Sequence, residues 1–253
     1  MKNWKKIKED LINFLKTEVE KTGLEKVTVG LSGGLDSAVV AILCKEAFAD
    51  NLNCVLMPSQ FSSKSSIDDA VELCEKFAIK YEIISIEPMV SAFLNNMQED
   101  RLRIGNFSAR MRMSVLYDVS SREKSLVVGT SNRSELLLGY GTIFGDIACA
   151  INPIGEIYKS DEFEFARMLG VPDSILNKAP SADLWEGQSD ENELGYSYKQ
   201  MDDLLKVMID ENKSKDELLN LGFEEELINK VSYRVKANAF KGKLPTIAKI
   251  GWN

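Results

Sequence analysis

The segment Ser32-Gly33-Gly34-Leu35-Asp36-Ser37 follows a short β-branched run, Val27-Thr-Val-Gly-Leu31, and precedes an apolar stretch at helical spacing, Ala38–Phe48. A strand that ends in two glycines just before a helix leaves bare backbone N–H groups and the positive end of the helix dipole facing one point, where an anion is held. Phosphate fits: the glycines permit positive φ and close backbone approach, and both serine hydroxyls can donate to phosphate oxygens. Asp36 would repel a polyphosphate unless a cation stood between them, so it argues for Mg²⁺ shared by side chain and nucleotide. The segment lacks a GK[ST] ending and is too short for a Walker A loop. A tight strand-to-helix turn capped by serine and aspartate is the alternative reading of the same residues. The nucleotide-binding candidates are therefore Gly30, Leu31, Ser32, Gly33, Gly34, Leu35, Asp36 and Ser37.

A second carboxylate, Glu135, falls in the first turn of a helix that follows another apolar run, Ser125-Leu-Val-Val-Gly129. Two carboxylates at the carboxyl ends of two parallel strands can converge on one ion, although a glutamate there also serves simply to stabilise the helix dipole. Among the 253 residues there is no histidine. That excludes His-based triads, His metal sites and imidazole bases, so any catalysis rests on carboxylates, Lys, Arg, backbone dipoles and bound metal. The net charge of −8 disfavours a nucleic-acid partner. A hydrophobic fraction of 44% and a charged fraction of 28% match a compact globular chain whose core needs no disulfide or metal. The opening residues carry no apolar signal region and no run reaches a membrane span, so the expectation is a cytoplasmic protein without a membrane partner. Cys44, Cys54, Cys74 and Cys149 are scattered without a CxxC pair and read as reduced thiols.

These residues need a frame to hold them. Ile7, Leu11, Phe14, Leu15 and Val19 predict an opening amphipathic helix over about 3–22. Strands are expected at 27–31, 54–57, 81–86 and 125–129, alternating with helices at 38–48, 65–78, 108–121 and 160–170. Such alternation implies a single α/β domain over 1–253: a twisted, mostly parallel, Rossmann-like sheet with helices on both faces, and ligands at the carboxyl ends of its strands. In that reading the α/β core spans about 25–178, with 139–153 a Gly-rich functional loop; 179–195 is a polar loop and 196–253 a helical C-terminal part.

SGGLDS resembles the PP-loop of ATP pyrophosphatases, which cut ATP between its α- and β-phosphates, and further segments in chain order resemble the ammonia-dependent NAD synthetases. Gly105-Asn106-Phe-Ser-Ala-Arg110-Met-Arg112-Met is similar to that family's GNxxARxRM segment, which implies that Asn106 and Arg110 bind the dinucleotide; a helix start with exposed cations is the plainer alternative. Gly129-Thr130-Ser-Asn-Arg-Ser-Glu135 resembles GTxxxxE, which implies that Thr130 touches ATP and that Glu135 shares Mg²⁺ with Asp36. Gly139-Tyr-Gly-Thr-Ile-Phe-Gly145-Asp146 resembles the mobile loop over the reacting carboxylate, with Asp146 positioning ammonium and helping to remove its proton. Lys159 matches an ATP-contacting lysine that stabilises departing pyrophosphate. Ser181, in Ala179-Pro-Ser-Ala-Asp-Leu184-Trp, is implied to touch nucleotide or metal, and Glu193, in Gln188-Ser-Asp190-Glu-Asn-Glu193-Leu-Gly195, to bind the dinucleotide.

The chain departs from the family at three polar positions: Ile143 and Ala150 stand where the loop usually has Lys and Asp, and Phe240 precedes Lys241 where the family has an HK pair on the dinucleotide. The resemblance implies an ATP- and Mg²⁺-dependent ligase that converts nicotinic acid adenine dinucleotide (deamido-NAD) to NAD with ammonia through an acyl-adenylate. It also implies a homodimer. Another PP-loop enzyme, such as a GMP synthetase-like amidating enzyme or a tRNA thiolase, and a non-catalytic nucleotide-binding module are the rival readings.

Overall fold

The computed structural model describes residues 2–94, 100–181, 188–243 and 245–251. In chain order the elements are α1 (Trp4–Glu20), β1 (Lys26–Gly30), α2 (Leu35–Phe48), β2 (Leu52–Leu56), α3 (Lys64–Lys76), β3 (Tyr81–Ile83), α4 (Glu87–Leu94), α5 (Arg101–Glu123) and β4 (Ser125–Val128). They continue with α6 (Arg133–Leu138), α7 (Lys159–Leu169), α8 (Asp173–Leu176), α9 (Asp190–Leu194), α10 (Tyr198–Leu205), α11 (Lys215–Asn220) and α12 (Glu225–Asn238). The strands form one parallel sheet in the order β3-β2-β1-β4, with Val29 opposite Cys54 on one side and Val128 on the other.

Central parallel strands bury both faces, which is why β1 and β2 read as nearly unbroken apolar runs. Val27, Val29, Cys54 and Val55 are fully buried. The one polar side chain inside β1, Thr28, is satisfied by the Ser125 hydroxyl of β4 at 2.6 Å. One face packs against α1, α2, α3 and α7, where Phe165 stacks on Trp4 at 5.2 Å between ring centroids. The other face packs against α4 and α5. A separate apolar cluster joins α6 to α10, α11 and α12, so the C-terminal helices lean on the far side of the strand-to-helix loops.

The chain steps from β1 outward to β3, then returns to place β4 on the opposite side of β1. Their connecting segments therefore diverge at the carboxyl ends of β1 and β4 and leave a crevice between them. Asp36 follows β1 and Glu135 follows β4 into that crevice.

Several elements differ from expectation: α4 lies at Glu87–Leu94, where none was expected, and the last helix of the C-terminal part ends at Asn238. The third strand stops at Ile83, although Ile84 and Ile86 still donate to the carbonyls of Leu56 and Pro58 at 2.9 Å. Pro58 has no N–H to return the bond, so the ladder cannot continue. Helix α5 begins at Arg101 because Asp100 caps it, accepting from the Arg103 amide at 3.1 Å, and the GNFSARMRM segment lies inside it instead of starting it. Within the expected polar loop 179–195, Asp190–Leu194 is helical, and residues 182–187 lie outside the described residues.

Candidate active site

The turn after β1 is built to bring backbone donors to one point. Gly34 is the N-cap of α2 and has no side chain with which to cap it, so the first N–H groups of a 14-residue helix face outward without a capping bond. The turn is tied from within: the Ser37 hydroxyl donates to the Gly34 carbonyl at 3.0 Å and accepts from the Ser32 amide at 3.2 Å, while the Ser32 hydroxyl accepts from the Gly34 amide at 3.2 Å. Gly33 sits at φ +78°, and a Cβ there would fall 2.0 Å from the Ser66 carbonyl oxygen of α3.

This turn forms one wall of a cavity of about 550 Å³. Every candidate binding, catalytic or metal residue named from the sequence lines that cavity except Gly33 and Arg110. Leu56, Met57, Ile67, Ala70 and Val128 give one end an apolar lining that suits a flat heterocycle, and the turn and a set of ionic side chains occupy the other.

Lys159 joins Asp36 across 123 positions of sequence, and its ammonium also lies 3.2 Å from Glu162. The Asn132 amide donates to the other Asp36 oxygen at 2.7 Å. Asn132 is also the N-cap of α6 in a capping box with Glu135, so one asparagine fixes the relative placement of both candidate metal ligands. Burial alone would raise the Asp36 carboxyl, but the Lys159 charge, the neighbouring Glu162 carboxyl and hydrogen bonds from Lys159 and Asn132 hold it below the usual carboxylate range. Glu135 and Glu162 go the other way: burial first, then the Asp36 charge, push both well above that range. Burial works against the Lys159 ammonium, yet Asp36, Glu162 and Glu135 together raise its pKa.

Three carboxyl groups thus converge on one ammonium, a set of hard oxygen donors of which Asp36 is the one held ionised. A magnesium ion fits this donor set. Among the described residues no group of three or more acidic, His or Cys side chains is arranged to hold a metal by itself, so an ion bound by Asp36 and Glu135 would take its remaining oxygens from nucleotide and water.

The segment from Gly139 to Asp146 forms the opposite rim. Within it, Asp146 accepts from the Thr142 amide at 2.8 Å, and burial raises its carboxyl, opposed by the Thr142 amide and the Lys241 charge. Phe144 is held at φ +58° and is 58% exposed, a strained backbone for a side chain with no buried anchor. Four side chains hold this loop in place. Asn106 accepts from the Thr142 hydroxyl at 2.7 Å, Arg110 donates to the Ile143 carbonyl at 3.3 Å, and Glu193 accepts from the Tyr140 hydroxyl at 3.0 Å. Lys241 donates to the carbonyls of Gly139 and Gly141 at 2.8 and 3.0 Å. They are the same four residues that the sequence resemblance assigns to the dinucleotide. Thr130 and Ser181 also line the cavity.

The Lys241 strap is testable directly. Lys241→Met keeps the aliphatic stem and removes two charge-assisted bonds worth about 1.5–3 kcal/mol each before solvent discounts them. Amide hydrogen exchange across 139–146 should quicken by roughly tenfold. Unchanged exchange there would show that Lys241 does not restrain the loop.

The NAD synthase family model matches residues 7–245. The chain belongs to the NAD synthase family. It is 53% identical over 241 residues to an NH(3)-dependent NAD(+) synthetase of Wolinella succinogenes, covering 95% of this chain and 94% of that one. It is 50% identical over 253 residues to the enzyme of the same description in Helicobacter pylori, covering 98% and 97%. Among solved structures, the NH3-dependent NAD synthetase of Campylobacter jejuni superimposes with a TM-score of 0.85 at 40% identity, covering 98% of this chain and all of that one. An NMN synthetase from Francisella tularensis superimposes with a TM-score of 0.88 at 33% identity, covering 99% of this chain and 100% of that one.

Against this NAD synthase frame, several residues that line or brace the site escaped the sequence reading. Asn132 had a visible signal, since Asn-x-x-Glu before an apolar run is a capping box. Glu162 had none beyond being an acid in the first turn of α7, and Tyr140, Lys178 and Arg234 enter the cavity only through tertiary packing.

Proposed function

We propose that this chain is an ammonia-dependent NAD synthetase that uses ATP to amidate deamido-NAD. The observation that carries the reading is one cavity that joins the glycine turn, the Asp36–Lys159–Glu135 cluster and the Gly139–Asp146 loop. ATP lies with its adenine against Leu56, Met57 and Val128 and its phosphates on the N-terminus of α2. The nicotinate carboxylate attacks the α-phosphorus, the bond to the β-phosphate oxygen breaks, and pyrophosphate leaves. Ammonia then attacks the carbonyl of the acyl-adenylate, AMP departs, and the surplus proton on nitrogen passes to Asp146.

The chain's own groups each take a part. The α2 amides and Ser32 and Ser37 hold the phosphates, and Lys159 offsets the negative charge that grows on the leaving oxygens. Asp36 and Glu135 would hold Mg²⁺, which when bound supplies electrostatic stabilisation of the triphosphate. Asn106, Arg110, Glu193 and Lys241 exchange the loop for the dinucleotide as substrate enters, and Thr130 and Ser181 contact the nucleotide. The enzyme works as a homodimer through the α5 surface, where Leu102 and Tyr117 are 63% and 40% exposed. We place it in the cytoplasm, in keeping with four free thiols and with the absence, among the described residues, of a helix long and apolar enough to cross a membrane.

A mononucleotide substrate is the second reading. It is favoured by the apolar residues Ile143, Ala150 and Phe240 at positions where the family is usually polar, and by the likeness to an NMN synthetase.

Pyrophosphate release from ATP, Mg²⁺ and ammonium, assayed with deamido-NAD, with nicotinic acid mononucleotide and with xanthosine monophosphate, tests all readings. Deamido-NAD should give the highest kcat/KM. Preference for the mononucleotide would transfer the assignment to NMN synthesis, response to xanthosine monophosphate alone would make the chain GMP synthetase-like, and release with none would leave a nucleotide-binding module.

A further inference from the structure

Glu162 has no place in the chemistry above, yet it is the most thoroughly buried acid of the site. Its side chain is 0% exposed, one carboxylate oxygen faces the Lys159 ammonium at 3.2 Å, and the other has no hydrogen-bond donor. An acid in the first turn of a helix ordinarily faces solvent and gains a modest stabilisation from the dipole. Burying a carboxylate costs several times that, and an apolar residue of similar size is neutral or better for stability at such a position. Packing therefore does not explain a glutamate here.

Its geometry relative to Lys159 does. The two lie three residues apart on α7, so Glu162 approaches the ammonium from the helix side while Asp36 approaches it from α2. Asp36 cannot serve both Lys159 and a magnesium ion at full strength, because the ion and the ammonium compete for the same carboxylate. When Asp36 turns to the ion, Lys159 needs a second partner that stays fixed.

On the reading of this site as the ATP-cleaving centre, we propose that Glu162 is a positioning residue. It is the standing partner of Lys159, letting the lysine release Asp36 to the metal and keeping the ammonium aimed at the departing pyrophosphate. Without Glu162, Lys159 stays on Asp36 and resists the metal. The residue acts through Lys159 and through the ease of metal entry, and not on the dinucleotide.

The test uses the full chain with Glu162→Leu and Glu162→Gln, both measured against wild type. Calorimetric titration of ATP at varied Mg²⁺, without deamido-NAD so that no turnover occurs, should show the half-saturating Mg²⁺ rising by roughly tenfold in Glu162→Leu and less in Glu162→Gln, whose amide oxygen still accepts from Lys159. In turnover, kcat should fall by on the order of 10²-fold in Glu162→Leu and roughly tenfold in Glu162→Gln, with KM for deamido-NAD unchanged. Wild-type Mg²⁺ dependence in both variants, or a loss carried by KM for deamido-NAD, overturns the proposal; if the leucine variant does not fold, the glutamine variant decides alone. A wild-type chain that releases no pyrophosphate removes the underlying reading as well, an outcome distinct from an active wild type with indifferent variants.

Discussion

Asp36→Asn is expected to lower pyrophosphate release by on the order of 10³-fold or more while the chain stays folded. The amide is nearly isosteric, and of the three carboxylates around Lys159 only Asp36 is held below its usual range, as befits a group that must stay ionised near a cation. Removing its charge leaves Lys159 paired with Glu162 at 3.2 Å, so the buried ammonium is not orphaned and the melting temperature should move little. On the proposed reading, what is lost is the charge of one of the two side chains that would hold Mg²⁺. Turnover at saturating Mg²⁺ and ATP, beside a thermal melt, checks both halves. Near-normal turnover would take Asp36 out of the metal site.

Gly33→Ala should cost the second largest effect, and on binding instead of chemistry. Gly33 lies at φ +78°, where a side chain costs about 1–2 kcal/mol by itself. The new Cβ would also sit 2.0 Å from the Ser66 carbonyl, an atom fixed in the first turn of α3 and unable to rotate away. Either the phosphate turn or α3 must move, and the turn, with its N–H groups facing open space, moves more easily. Affinity for ATP should fall by roughly 100-fold or more, which corresponds to about 2.7 kcal/mol. Gly34→Ala is the matched control: Gly34 has φ −93°, and a Cβ there would meet only the Ser32 hydroxyl at 3.3 Å. It should bind ATP within about tenfold of wild type. Equal affinities for the two variants would show that the backbone at Gly33 is not what shapes the phosphate site.

The two carboxylates at the carboxyl ends of β1 and β4 were legible because a parallel sheet sends successive helices from the same edge, and a strand order that switches sides opens a crevice there. The glycine turn after β1 was legible for the same kind of reason: its glycines, hydroxyls and helix start are neighbours in sequence, and their geometry follows from local backbone rules. The extent of α5 was less so, since Gly105 and Asn106 weaken helical propensity and only the Asp100 cap and burial of Gly105 carry the helix through them.

What the amino-acid sequence determined by itself is the chemistry this protein has available: no imidazole, a glycine turn between a strand and a helix start, and acids and a lysine spaced along an α/β chain. What only the tertiary structure decided is which of those groups touch. Lys159 meets Asp36 across 123 residues, Glu162 turns inward from a helix start that reads as solvent-facing, and the four side chains that the resemblance assigns to the dinucleotide close on the Gly139–Asp146 loop. The physical reason is one of range. Turns, caps and helix starts are set by neighbours within four or five positions, whereas burial, and with it the strength of every charge in the site, is set by elements that meet only after the sheet has closed.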